Sequence, residues 1–298
     1  MTASVAIIGA GRVGRVFGRR LHDLGWKIGA VVTRHQTSAR RAVRFIGAGS
    51  PQAGIRRQIF SSPVILIAVP DRELAHVASE LEQIGGEELG GKVVLHTSGA
   101  LGSDVLEPVR RSGASAGSLH PAQSFSGIGT PDLSGRVFAV EGDLAALRVA
   151  RQIVRALGGV CLKIPGGKKP LYHVACVMAA AHVLGTVEAA TQLLLAAGLT
   201  RRVALRALLP LTRQVLDNFE RLGPRQAWTG PLARGDFGVV AMHAAALREF
   251  PPEFGAAHEA LSRLLAVVLS PEPEKTLAAL GPIFEDAKLQ KKAIGEKA

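Results

Sequence analysis

Gly9, Gly11 and Gly14 stand in the spacing Gly-x-Gly-x-x-Gly, a pattern whose chemistry is the binding of phosphate. The first glycine permits a tight turn, the second leaves the backbone bare for a pyrophosphate, and the third lets a helix pack closely on a strand. N–H groups at the start of that helix, at Arg12 and Val13, lack intrahelical acceptors and face the anion. Beyond them, Thr33-Arg34-His35 offers a hydroxyl and a guanidinium, and between Asp23 and Asp71 the chain has neither Asp nor Glu. A site for an unphosphorylated ribose puts a carboxylate about 20 residues past the glycines, whereas a 2′-phosphate calls for small polar and cationic groups. We therefore expect NADP(H), with Arg34 pairing the 2′-phosphate and Thr33 assisting. Arg40, Arg41 and Arg44 lie on the helix that follows, and part of that group reads as a solvated basic face.

Those residues need a framework. Val5 to Ile8 is a short apolar run that reads as a buried strand, and Val13, Val16, Phe17 and Leu21 recur at helical spacing. Lys27 to Thr33 reads as a second parallel strand. Val64 to Val69 and Lys92 to His96 have the continuous apolar character of strands covered on both faces. Pro70-Asp71 starts a helix, with Asp71 its N-cap, and the Ala68-Val69-Pro70 turn lies where a cofactor would pass. Gly113 to Leu119, Arg136 to Glu141 and Val160 to Ile164 complete the strand signals. Ligands of open α/β sheets bind at the carboxyl ends of the strands. Thr97, Ser98, His120, Gln123 and Ser124 stand at such ends, as candidates for the nicotinamide and substrate region or as loop-structuring groups.

Past Pro165-Gly166-Gly167 strand signals vanish and the chain turns helical and alanine-rich. The expected fold class is α/β, a Rossmann-type, mostly parallel sheet domain over 1–165 followed by an all-helical domain over 166–298. A helix is expected to run from Pro170 to Ala197. It is followed by helices over Arg201–Leu209, Leu211–Arg221, Val239–Glu249, Pro252–Leu269 and Glu274–Lys292. The apolar stretch Val174–Leu199 reads as a buried helix, and its small residues Ala175, Ala179, Gly185 and Ala189 invite close approach of another helix. A helix apolar on most sides needs cover, and a homodimer formed through the C-terminal helices would supply it.

With 298 residues, 47% of them hydrophobic, the chain has enough material for two cored domains and excludes disorder over most of its length. Its formal charge of +12 is scattered, and only 4% of residues are aromatic, so no basic run interleaved with stacking rings marks a nucleic-acid site. Cys161 and Cys176 show neither metal-ligand spacing nor a disulfide framework. A strand that starts at residue 5 leaves no room for a signal peptide, and a cytoplasmic protein with no membrane partner is expected.

Together, the glycine motif, His120-Pro121-x-Gln123-Ser124-Phe125, Lys169-x-x-Tyr172-His173 and Thr229-Gly230-Pro231-x-Ala233-Arg234-Gly235-Asp236 resemble a bacterial family. That family is described as a Rossmann-like NADP-binding domain joined to a helical domain of unknown function. More distantly, the chain is similar to the superfamily of 6-phosphogluconate, 3-hydroxyisobutyrate and pyrroline-5-carboxylate dehydrogenases and reductases. The resemblance covers nearly the whole chain and implies a fold and a cofactor without a substrate. It also implies that Lys169 is the lysine opening the first long helix of the second domain. That ammonium could polarise a carbonyl or protonate a developing alkoxide. His173, one turn on, stands where the hydroxyacid branch carries asparagine, and could orient substrate or relay a proton. Ala179-Ala180-Ala181-His182 departs from the asparagine that close relatives place there.

Lys169, Tyr172, His173 and His120 are thus the candidate catalytic residues. Gln123, Ser124, Thr229 and Asp236 are candidates for substrate contact, the last two on a loop resembling one that approaches the active site in pyrroline-carboxylate reductases. Asp236 equally suits a helix cap. The expected activity is hydride transfer between NADP(H) and a small anionic carbonyl or imine compound in the interdomain cleft. The alternatives are a non-catalytic NADP(H) sensor or scaffold and a deazaflavin-linked reductase.

Overall fold

In the computed structural model residues 4–295 are described, with side chains as far as residue 286. By contacts the chain divides into two compact units, Met1–His182 and Val183–Ala298. In the first unit the elements are β1 (Ser4–Ile8), α1 (Arg12–Asp23), β2 (Lys27–Thr33), α2 (Gln36–Ile46), β3 (Ser50–Ala53), β4 (Val64–Ile67) and α3 (Leu74–Gly85). There follow β5 (Val93–His96), α4 (Glu107–Arg111), β6 (Ser115–Pro121), β7 (Val137–Gly142), α5 (Leu144–Ala156), β8 (Val160–Lys163) and α6 (Lys169–Val177). The eight strands form one sheet in the order β3-β2-β1-β4-β5-β6-β7-β8. Every pairing is parallel except β6 with β7.

The apolar runs are explained by this layering. In β1, Val5 and Ile7 point to one face, where they join Val16, Phe17 and Leu21 of α1 and Ile153 of α5. Ala6 and Ile8 point to the other, against Leu74, Ala78 and Leu81 of α3. A strand buried on both faces cannot alternate with polar residues, so it reads as continuous hydrophobicity. Each fully buried Val, Leu or Ile side chain contributes roughly 1.5–3 kcal/mol. The Rossmann-type, mostly parallel sheet followed by helices that the sequence implies is the fold observed.

The second unit consists of α7 (Val183–Ala196), α8 (Arg201–Leu222), α9 (Pro224–Ala227), α10 (Phe237–Ala246), α11 (Pro252–Leu269) and α12 (Pro273–Gly295). Val240, Ala244, Ala266, Leu280 and Phe284 form its core.

Several local expectations are corrected. Strand β3 gave no apolar signal, because Ser50-Pro51-Gln52-Ala53 is a sheet edge where Pro51 lacks a donor the ladder does not need. Asp71 is not an N-cap: Pro70 holds the cap position of a 3₁₀ turn over Asp71–Glu73, and α3 starts only at Leu74. The helix expected from 170 to 197 is divided by a π-helical turn, Met178–His182. Two helices expected around Pro210 are one, α8, since Pro210 lies at an exposed position where water can reach the carbonyl it leaves unpaired. The stretch expected to be buried is not: only 6% of the most apolar window of Lys169–Ala196 is buried, and Leu171 and Leu184 are 68% and 70% exposed. By length and composition this is the one described segment that could cross a membrane.

Candidate functional site

The turn from β1 into α1 has the geometry its glycines imply. Gly9 has φ +85, and a Cβ there would lie 2.5 Å from the Ala68 carbonyl oxygen. At Gly14 a Cβ would run into the Gly9 carbonyl oxygen, so only glycine lets α1 sit so close to β1. At Gly11 an added Cβ would meet nothing within 4 Å. Its backbone faces open space, as a cradle for an incoming phosphate requires. No acidic side chain stands in the first turn of α1 and none caps it. The N–H groups there remain free to bind an anion.

Around this turn lies a cavity of about 850 Å³, walled by Gly9, Ala10, Gly11, Arg15, Thr33, Arg34, His35, Ser38 and Arg41 on one side. Glu73, His76 and Glu80 of the opposite wall lie on or near α3. Arg34 and Arg41 are exposed. They bring two guanidiniums to the end of the cavity that lies off β2. The Thr33 hydroxyl donates to the His35 carbonyl at 2.9 Å, bracing the corner that carries Arg34. Its proton is therefore engaged.

Of the basic group expected on α2 it is Arg41 that lines the cavity, while Ser38 and Arg15 were not singled out in the sequence. The signal for Ser38 was its place three residues before Arg41, which puts both on one face of α2. Arg15 donates through Nη2 to the Gly127 carbonyl at 2.6 Å, and its Cζ stands 4.8 Å from the Phe45 ring centroid. Arg20 donates to the Thr130 and Pro131 carbonyls at 2.7 and 3.0 Å. The segment between β6 and β7 is thereby tied across α1.

A second cavity, of about 440 Å³, shares Gly11, Ala68, Val69 and Pro70 with the first. Arg12, Val13, Asp71, Thr97, Ser98, Gly99, His120, Pro121, Gln123, Phe125 and His173 complete it. Both cavities are formed by the first unit alone. His120 reaches the second from β6 and His173 from α6, their ring centroids 5.9 Å apart. Behind them Tyr172 Oη lies 2.9 Å from His120 Nδ1. Burial first, then Cys176 beside it, raises the Tyr172 phenol, which stays protonated. Burial, then the charge of Lys169 and the neighbouring His173, lowers His120 to about 4, so the ring is neutral at neutral pH.

Lys169 is the charge at the centre of this cluster. It is 1% exposed, donates to the Ser98 carbonyl at 2.8 Å and stands 5.7 Å from the Tyr172 ring centroid. No described carboxylate pairs with it at ion-pair distance. Burial lowers its pKa to about 8, opposed by the more distant Glu141 and Asp71. Lys169 and Tyr172 do not line the cavity, which presents His120 and His173 instead.

Of the other expected contacts, Ser98 is buried and turns its hydroxyl toward the Ala100 and Leu101 amides. Gln123 lines the cavity and donates to the Ser124 carbonyl at 2.9 Å, while Ser124 itself is exposed outside the lining. Thr229 and Asp236 belong to the second unit. There Thr229 lines a separate cavity of about 420 Å³. Asp236 holds the N-cap position of α10, but its carboxylate accepts from Arg234 Nε at 2.9 Å rather than from a helix amide.

Residues 1–121 match a Rossmann-like domain and residues 136–265 match a domain of unknown function, DUF2520. Among curated proteins none matches. A candidate NADP oxidoreductase from Bacteroides fragilis superposes with a TM-score of 0.73 at 21% identity, over 89% of this chain and 98% of that one. A reductive aminase from Aspergillus terreus, solved with NADPH and ethyl-5-oxohexanoate, gives 0.68 at 19% identity, over 89% and 94%. A pyrroline-5-carboxylate reductase from Coxiella burnetii gives 0.59 at 16% identity, over 97% and 98%. These likenesses establish the fold. The pairing of a Rossmann-like domain with a domain of unknown function agrees with the bacterial family that the sequence resembles.

Proposed function

We propose, for a chain that joins a Rossmann-like domain to a DUF2520 domain, the activity of an NADP(H)-dependent oxidoreductase acting on a small anionic carbonyl or imine compound. The observation that carries this is one path along the carboxyl edge of the sheet. It starts at Arg34 and Arg41, passes Gly11 and the Ala68-Val69-Pro70 turn that both cavities share, and ends at His120 and His173. The open space at Gly11 and the uncapped start of α1 suit a pyrophosphate. The two guanidiniums, with no carboxylate on β2, suit a 2′-phosphate. Neighbours of the same fold include a reductive aminase solved with NADPH and a pyrroline-5-carboxylate reductase, which favours this chemistry over a sensor role.

Bound there, NADPH would supply the hydride; the chain supplies the rest. In this reading Tyr172, held protonated and 2.9 Å from His120 Nδ1, is the donor of that contact, which leaves the His120 proton on Nε2 at the cavity. A neutral imidazole in that state polarises a carbonyl or imine as a hydrogen-bond donor. His173, on the same wall, hands over the proton as charge develops. Lys169 keeps its charge behind both rings, holding His120 neutral and favouring an anionic substrate over a cationic one. Arg12, exposed at the rim, offers that substrate a counter-charge.

We further propose a cytoplasmic homodimer whose interface covers the exposed apolar side of α7 and the helices after it. The low burial of that helix in a single chain supports this, and light scattering on the purified protein tests it. The test of the activity is oxidation of NADPH in the presence of 2-oxo acids and cyclic imine carboxylates. Turnover with a member of either class supports the proposal. Tight NADPH binding with no turnover on any of them would favour the sensor.

A further inference from the structure

We infer that His96, which no motif marks, is a positioning residue: its ring fixes the turn from Ser98 to Gly102 that gives Lys169 its partner and sets both cavity histidines. The inference rests on the proposed reductase reading, because it assigns His96 a part in that site.

His96 ends β5 and is fully buried. Its Nδ1 receives the Ser98 backbone N–H at 3.2 Å, and an amide can only donate, so Nδ1 carries no proton. The ring proton is then on Nε2, which donates to the Gly102 carbonyl at 3.1 Å. One imidazole thus bridges the two ends of a five-residue turn. Inside it, the Ala100 and Leu101 amides go to Ser98 Oγ at 3.2 and 3.0 Å. Just beyond, the Ser103 amide and hydroxyl go to the Glu141 carboxylate at 2.7 and 2.8 Å.

With those donors committed, the Ser98 carbonyl is left to accept from Lys169. The turn also places Gly99 against both working rings. A Cβ on Gly99 would come within 2.5 Å of His173 Cδ2 and 2.8 Å of His120 Nε2. There is no slack between turn and rings, so a shift of the turn is a shift of the histidines. Burial, and secondly the charge of Lys169, lowers His96 to about 4, which preserves Nδ1 as an acceptor through the neutral range.

The experiment compares wild type, His96→Asn and His96→Leu. In His96→Asn the amide oxygen replaces Nδ1 as acceptor for Ser98; in His96→Leu both edges are lost. Ring nitrogen shifts of the wild type should report the Nε2–H tautomer. Reductive methylation read by mass spectrometry should find Lys169 protected in wild type and His96→Asn and modified in His96→Leu. Turnover should fall about 100-fold in His96→Leu, as expected of a misplaced reacting group, and be largely restored in His96→Asn, with NADPH affinity unchanged in both.

An Nδ1–H tautomer would overturn the inference. So would a folded His96→Leu in which Lys169 stays protected and turnover is intact. The tautomer and the His96→Asn result stand even where His96→Leu fails to fold. Protection of Lys169 that follows His96 in a protein with no turnover on any substrate would keep the positioning role and refute the reductase reading.

Discussion

His120 Nδ1 and Tyr172 Oη lie 2.9 Å apart, joining the end of β6 to the first turn of α6. The contact ties a strand-end histidine of the Rossmann sheet to the helix that opens with Lys169. With the phenol as donor, as proposed, the contact fixes which edge of the imidazole faces the cavity. Tyr172→Phe removes one hydrogen bond and keeps the ring, so turnover should fall about fivefold, the equivalent of about 1 kcal/mol. His120→Ala, which removes the group at the cavity itself, should cost about 100-fold or more. NADPH affinity should be unchanged in both. Steady-state kinetics with fluorescence titration of NADPH checks the pair of values.

The glycines of the first turn should separate stability from binding. Gly14→Ala forces a methyl against the Gly9 carbonyl, and overpacking of that kind costs about 1–3 kcal/mol. Gly11→Ala has room for its methyl in the free protein and should melt like wild type. Its methyl would stand where the pyrophosphate approaches, so NADPH binding should weaken. Thermal melts and NADPH titrations on the two variants make the comparison.

Much of this was legible in residue types. Gly9, Gly11 and Gly14 between an apolar run and a helical pattern give the cradle, because only glycine fits the turn at Gly9 and Gly14 and a bare backbone at Gly11 leaves room for the anion. The lack of Asp and Glu from Leu24 to Pro70, with Arg34 at the end of β2, gives the basic end of the cavity. The residues His120, Tyr172, His173 and Lys169 do converge in space. What the sequence could not convey is direction. Lys169 turns inward to a backbone carbonyl and leaves the cavity wall to the histidines, a choice set by the packed turn at Ser98. His96 looked like one polar residue closing a strand, since its two partners are backbone groups with no side-chain signature. Pro210 and Ser50–Ala53 misled for a related reason: local propensity yields where an exposed helix side or a sheet edge tolerates a missing donor.

Acid should weaken the fold through His96. Its folded pKa, about 4, lies below the ordinary value of 6.5, so between those values the unfolded chain binds a proton that the native state refuses. The stabilisation is fully present above pH 6.5 and is lost as pH falls through 4. For this fully buried ring it amounts to something on the order of 3 kcal/mol. His120, lowered in the same direction, adds to the loss. Denaturant midpoints between pH 7 and 4 should fall, and His96→Asn should show a shallower dependence.

Base should act through Lys169. With a pKa lowered to about 8, the ammonium loses its proton above that pH and the field behind the histidines disappears. Turnover should therefore decline through an alkaline limb near pH 8. Lys169→Met should be slow at every pH and lack that limb, which pH–rate profiles of the two proteins would reveal.

The central claim, that a phosphorylated dinucleotide lies along the carboxyl edge of the sheet with Arg34 at its 2′-phosphate, is tested most directly by calorimetric titration of NADPH and NADH. Wild type, Arg34→Ala and Arg41→Ala are the proteins to compare. Wild type should bind NADPH more tightly. Arg34→Ala should lose about 1.5–3 kcal/mol toward NADPH, the worth of a hydrogen bond to a charged group, with NADH affinity unchanged; Arg41→Ala should lose less. Equal affinity of wild type for the two cofactors, preference for NADH, or no binding of either would contradict the account.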